Sequence, residues 1–157
     1  REPIQHLALG KPVTYNAPFN ETYKAAGDKS LTDGIRGDWT YSDGRWQGFI
    51  SRGRLDVTID LGEETEIGSI GADFMQAAGP EVFLPAEVII SVSTDGQKFK
   101  RLKRAKHKVS REPGFAFANH TWKGKTKARY IRYQAKSGKE LGGWIFTDEI
   151  VVLPPSK

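Results

Sequence analysis

Arg54-Leu55-Asp56-Val57-Thr58-Ile59-Asp60-Leu61-Gly62 alternates from end to end. Leu55, Val57, Ile59 and Leu61 fall on one face, and Asp56, Thr58 and Asp60 on the other. A period of two is the signature of a strand with one face buried. Gly62 ends the run. The same pattern recurs downstream, in Ile67 to Phe74 (Ile70, Ala72, Phe74), Glu87 to Ser93 (Val88, Ile90, Val92) and Ala128 to Ala135 (Ile131, Tyr133, Ala135). Phe115 to Trp122 sets Phe115, Phe117 and Asn119 against Ala116, Ala118 and His120, and Trp144 to Leu153 forms a last strand before Pro154-Pro155. Upstream, Leu7 to Val13 is interrupted by Gly10 and Pro12 and suits an edge strand, because proline cannot donate to a ladder.

The connections agree with this pattern. Thr94-Asp95-Gly96-Gln97 supplies the positive φ of a tight hairpin, and Lys123 to Lys127 reads as a charged turn. Seventeen glycines and eight prolines are spread over 157 residues, and no stretch keeps a helical period. Seven or eight strands at a spacing of roughly 8–15 residues predict an all-β, two-sheet antiparallel sandwich forming a single domain over residues 1–157.

Composition narrows the function. With 38% hydrophobic and 27% charged residues the chain suits a folded globular domain. It has no cysteine, which excludes disulfides and thiolate metal sites. No apolar run approaches the ~20 residues of a membrane-spanning helix. The chain opens on Arg1 rather than Met and reads as a piece of a larger protein. No Gly-x-Ser-x-Gly, phosphate-loop or His-Glu-x-x-His motif is present, and Glu63, Glu64 and Glu66 lie together on a turn rather than facing each other across a bond. No catalytic residue is assigned. Lys98 to Arg111 is strongly basic, but it reads as a solvated edge protected by lysines rather than a nucleic-acid surface. Phe83-Leu84 is too slight to serve as a membrane anchor.

Ser30 to Arg52 has no regular period and reads as a long ordered loop, where function concentrates. Asp33 and Asp38, with Gly34 and Gly37, offer oxygen ligands on an irregular backbone of the kind Ca²⁺ accepts. From spacing alone, an ordinary Asp-Gly turn, with Glu149 a solvated charge, is the simpler explanation. Sugars are held by aromatic rings on their C–H faces and by polar side chains on their hydroxyls. Tyr23, Trp46, Gln47, Arg52 and Trp144 are the foremost candidates, with Asp43 and Gln76 behind them. Trp39, Phe74 and Phe146 are assigned to the core, and His120 to a structural role.

Six motifs follow one another in a familiar order: LALGKPVT, LTDG, VTIDLG, VIISVSTDGQKF, ARYIRYQA and TDEIVV. In this the chain resembles the discoidin, or coagulation factor type C, domains. The resemblance implies an eight-stranded jelly-roll sandwich of the galactose-binding-domain kind. It also implies a structural Ca²⁺ held by the Asp33 and Asp38 side chains, the Ser30 and Ile35 carbonyls, and Glu149 with the Asp148 carbonyl. DGRWQGF and GGWIFTDEI further resemble the domain appended to bacterial family 20 β-N-acetylhexosaminidases, the chitobiases, which is similar to family 32 carbohydrate-binding modules. That likeness implies a non-catalytic, secreted, periplasmic or cell-surface module that binds glycans of the N-acetylhexosamine or galactose type through loops at one end of the sandwich. Its partner would be a catalytic domain in the same chain, with neither nucleic acid nor membrane as a target. The alternative is a structural or protein-interaction domain that packs against its catalytic neighbour.

Overall fold

A computed structural model describes residues 1–50, 54–138 and 143–156. Its strands are β1 (Val13–Tyr15), β2 (Gln47–Phe49), β3 (Arg54–Ala77), β4 (Glu87–Ser93), β5 (Lys100–Lys106), β6 (Phe115–Lys136) and β7 (Ile145–Leu153), with short 3₁₀ turns at Glu21–Tyr23 and Gly27–Thr32. Every ladder is antiparallel, and the strands run β2-β7-β3-β6-β4-β5, with β1 on β3.

The fold is the expected all-β sandwich, built from fewer and longer strands. β3 and β6 pair over almost their whole length, with register shifts between Asp60 and Thr65 and between Ile67 and Ser69. These irregularities separate the two layers, since bulges bend strands. The first half of β3 joins β1, the second half of β6, β4 and β5. The second half of β3 joins the first half of β6, β7 and β2. Lys123 to Lys127 is therefore not a turn but the middle of β6. Charge does not stop the ladder there, because side chains at the bend are exposed and Glu66 stands opposite Lys127.

The first strand is also displaced from expectation. Leu7 to Gly10 is a turn, and pairing begins only after Pro12, whose carbonyl accepts from the Asp60 N–H at 3.1 Å. Leu55, Val57 and Ile59 of one layer pack with Ile70, Phe74, Ile150 and Val152 of the other in the main core. A second cluster, Trp46, Met75, Ala77, Val82 and Phe146, fills the end of the sandwich where β3 finishes.

Candidate functional site

The long loop is anchored to β7 by two adjacent buried acids. Glu149 Oε2 accepts from the Gly34 N–H at 2.8 Å and meets His6 Nε2 at 2.7 Å. His6 Nδ1 accepts from the backbone N–H groups of Ala8 and Val152, so the ring proton belongs on Nε2 and points at Glu149. Burial lowers His6 to about 4, leaving it a neutral donor. Burial, with the neighbouring Asp33 carboxylate, pushes Glu149 up to about 10 against the Gly34 hydrogen bond. Asp33 is raised as well, chiefly by burial. Glu149 Oε1 is buried and meets no N–H donor; its neighbour is the Asp33 carboxylate, with which the protonated Glu149 carboxyl shares its proton. Gly34 sits at φ +80°, and a Cβ there would press on Leu9 Cδ1 at 2.8 Å.

Asp33 and Glu149 thus come together. The other residues expected at the cation are engaged as follows. Ser30 is buried, and its hydroxyl accepts from Ala26 N–H. Ile35 is exposed, and its N–H caps the Asp33 side chain at 2.9 Å. Asp38 is exposed and tied to its own loop: its N–H donates to Asp43 Oδ2, and its carbonyl accepts from Trp46 Nε1. The Asp148 side chain turns away toward Gly37 N–H and Arg1. Among the described residues, no group of three or more histidine or acidic side chains is arranged to hold a metal.

The expected sugar-binding residues do converge on one end of the sandwich, largely as packing. Trp46 is 1% exposed. A Cβ on Gly37 would collide with its indole, which explains the glycine. Gln47 is correctly placed in sequence but wrongly aimed for a ligand: it is buried, accepts from Tyr15 OH, and donates to the Lys24 and Gly27 carbonyls. Gln76 is likewise consumed, donating to the Ser110 carbonyl and accepting from Leu84 N–H. A buried amide must satisfy both of its ends, and here the loops do so. Tyr23 and Trp144 are half-buried and pack edge-on at 5.1 Å. Asp43 caps the Arg45 N–H, and Arg52 lies outside the described residues.

The exposed rings are others. Trp39, assigned to the core from sequence, is 61% exposed, and Phe115 and Phe117 are 64% and 39% exposed. Trp39 meets Phe117 edge-on at 4.9 Å. The Arg1 guanidinium lies 5.7 Å from the Trp39 ring and 5.6 Å from that of Trp46. Arg1 also pairs with Asp73 at 2.8 Å, whose other oxygen accepts from Asn119. Beside these groups runs a groove of about 230 Å³, lined in part by Arg36, Asp73, Asn119, Thr121, Lys123 and Asp148 and in part by Ile4, Ala72, Val151 and Leu153. Burial pushes Asp148 up to about 7, opposed by the Gly37 N–H and Arg1. Its Oδ1 has no partner.

Alternation along Phe115 to Thr121 signalled that one face carries Phe, Phe and Asn. It could not say that this face is the outer one. The inner position is taken by His120, whose ring lies 4.5 Å from His107 and 5.7 Å from Phe74.

The model of the F5/8 type C domain matches residues 14–150 of this sequence. The chain belongs to the F5/8 type C family. None of the curated proteins matches this F5/8 type C domain in sequence. Among solved structures it is similar to a Ruminococcus gnavus GH29 fucosidase in complex with fucose, at 17% identity and TM-score 0.63, covering 98% of this chain and 27% of that one. It thus spans about a quarter of the length of that enzyme. It is also similar to a Streptococcus pneumoniae fucose-binding module (13% identity, TM-score 0.63, 95% of this chain and 94% of that one). A third is a Clostridium perfringens module in complex with GalNAc-β-1,3-galactose (16% identity, TM-score 0.60, 90% and 93%). At these identities the likeness concerns the fold.

Proposed function

We propose that this domain is a non-catalytic carbohydrate-binding module that seats a neutral sugar against Trp39, Phe117 and Phe115. The observation that carries this is the exposure of those rings beside Arg1, Asp73 and Asn119. Rings supply the stacking surface, and the polar side chains in the adjoining groove match hydroxyls. Tyr23 and Trp144 shape the floor of the loop end rather than the contact surface. The glycan-binding modules of similar fold support the class of ligand, with fucose, galactose and N-acetylhexosamines as the first sugars to try. The narrower reading makes the parent protein a chitobiase-type glycosidase that acts outside the cytoplasm. It rests on the DGRWQGF and GGWIFTDEI stretches.

The same reading includes a structural Ca²⁺ at Asp33 and Glu149. What supports it is the Asp33–Glu149 carboxyl pair, two of the six to eight oxygens that Ca²⁺ takes. The ion would neutralise the pair and fix the loop to β7.

The test is a titration with these monosaccharides, followed by amide shifts and tryptophan fluorescence. Binding in the millimolar to micromolar range, on the order of −4 to −8 kcal/mol, is expected, with loss in Trp39→Ala. If no sugar on a broad glycan array binds, the exposed rings are instead a surface for packing against a neighbouring domain.

A further inference from the structure

The outer face of the five-stranded layer carries a separate groove of about 1010 Å³ over β3, β6, β4 and β5. Strand register explains its make-up. One cross-strand row reads Arg54, Lys136, Glu87, Lys106, and the next reads Asp56, Gln134, Ile89, Arg104. The third reads Thr58, Arg132, Ser91, Arg101. The three rows contain six cations and two carboxylates.

Both carboxylates are buried, and each lies under two cations. Asp56 is bridged by Arg54 and Arg132, both at 2.7 Å; Glu87 is bridged by Arg104 at 3.0 Å and Lys136 at 3.2 Å. Each triad therefore keeps a net positive charge. The buried acids hold four long side chains in place while 34–62% of each cationic side chain still faces solvent. Lys106 and Arg101 are exposed and have no acidic partner among the described residues. Gln134, His107 and Ser137 add hydrogen-bonding groups to the lining, which contains no phenyl, phenol or indole ring among the described residues.

A basic stripe on one edge strand is explained by edge protection alone. Arg54 and Lys136, which arrive from β3 and β6, are not on that edge, and edge protection does not account for them. We propose that this groove binds an acidic polysaccharide, a chain bearing sulfate or uronate groups, through Arg54, Arg104, Lys106 and Lys136. Guanidinium forks match such oxyanions, and a concave surface of one sign concentrates the field. Single-stranded nucleic acid is held by successive bases stacking on aromatic side chains, and this groove offers only the His107 ring, itself packed 4.5 Å from His120. Duplex DNA is read by an element that enters its groove, whereas this surface is concave. None of the four residues belongs to the Trp39 surface, so the site stands or falls independently of neutral-sugar binding.

The experiment is calorimetry with a heparin-derived octasaccharide, its desulfated uronate counterpart, neutral chitohexaose, and a DNA duplex of about 20 base pairs. The sulfated octasaccharide should bind, with affinity falling steeply between about 50 and 200 mM salt. Lys106→Gln should weaken it roughly threefold without changing the melting temperature, while Trp39→Ala leaves it intact. Binding of the desulfated oligomer, sensitive to the same variant, would show that uronates suffice. The proposal is overturned if neither acidic oligomer binds, or if binding ignores Lys106→Gln or is lost in Trp39→Ala. It is equally overturned if DNA binds as tightly as the octasaccharide, which would make this a nucleic-acid surface.

Discussion

Replacing Asp56 by Asn removes one negative charge from beneath the outer sheet while keeping side-chain volume. Asp56 is fully buried and accepts from Arg132 Nε at 2.9 Å, Arg132 Nη2 at 2.7 Å, Arg54 Nη2 at 2.7 Å and Asn16 Nδ2 at 3.1 Å. Breaking a buried ion pair from one side costs about 3–5 kcal/mol. Here the two arginines are 34% and 48% exposed and recover some hydration, which places the loss nearer 2–3 kcal/mol. For a domain of this size each kcal/mol lowers the melting temperature by about 2–4 °C, so a fall of about 5–10 °C is expected.

The pH dependence follows from the direction of the Asp56 shift. Burial alone would raise the carboxyl, but the hydrogen bonds from Arg132, Arg54 and Asn16 outweigh it and hold the group below the usual aspartate range. Its contribution is complete above the unfolded pKa of about 3.9 and disappears as pH falls through the lower folded value. Thermal melts followed by tryptophan fluorescence should therefore show a gap between wild type and Asp56→Asn that is full at neutral pH and closes in acid. A neutral-pH difference below about 2 °C, or one that persists unchanged in acid, would refute this account of the sheet.

Trp46→Ala should destabilise by about 3–5 kcal/mol through cavity formation, whereas Trp39→Ala should change stability by less than about 0.5 kcal/mol; thermal melts of the pair test which indole is core. With Ca²⁺ at 100 times its dissociation constant, wild type should gain about 2.7 kcal/mol over chelator-treated protein. Glu149→Gln should lose that gain, as read by scanning calorimetry with and without chelator. Gly37→Ala should lower the melting temperature by several degrees, because its Cβ lands on the Trp46 indole. A neutral outcome would mean that the loop yields there.

Much of the framework was legible because a strand half-buried in a sheet writes its period into the chain. Leu55-Val57-Ile59-Leu61 and Val88-Ile90-Val92 were readable on that ground, and Glu87–Ser93 has the bounds that alternation indicates. Continuity was harder to read. Glu63 to Glu66 and Lys123 to Lys127 resemble turns because local charge looks alike at a turn and at an exposed bend in a ladder. Direction was harder still. Gln47, Gln76 and Trp46 have the chemistry of ligand contacts, yet backbone groups and packing consume them, while Trp39 has the chemistry of a core residue and lies in solvent.

Residue order and identity are enough to specify the class of fold, the position of the long loop and its acids, and the absence of disulfide or thiolate chemistry. These depend on local period and on residue identity. It took the folded chain to show which rings face outward, that Gln47 and Gln76 are consumed by backbone groups, and that Arg54 and Lys136 share one face with the basic strand. Those outcomes depend on sheet register and on which partner satisfies each buried polar group, and neither is fixed until distant segments pair.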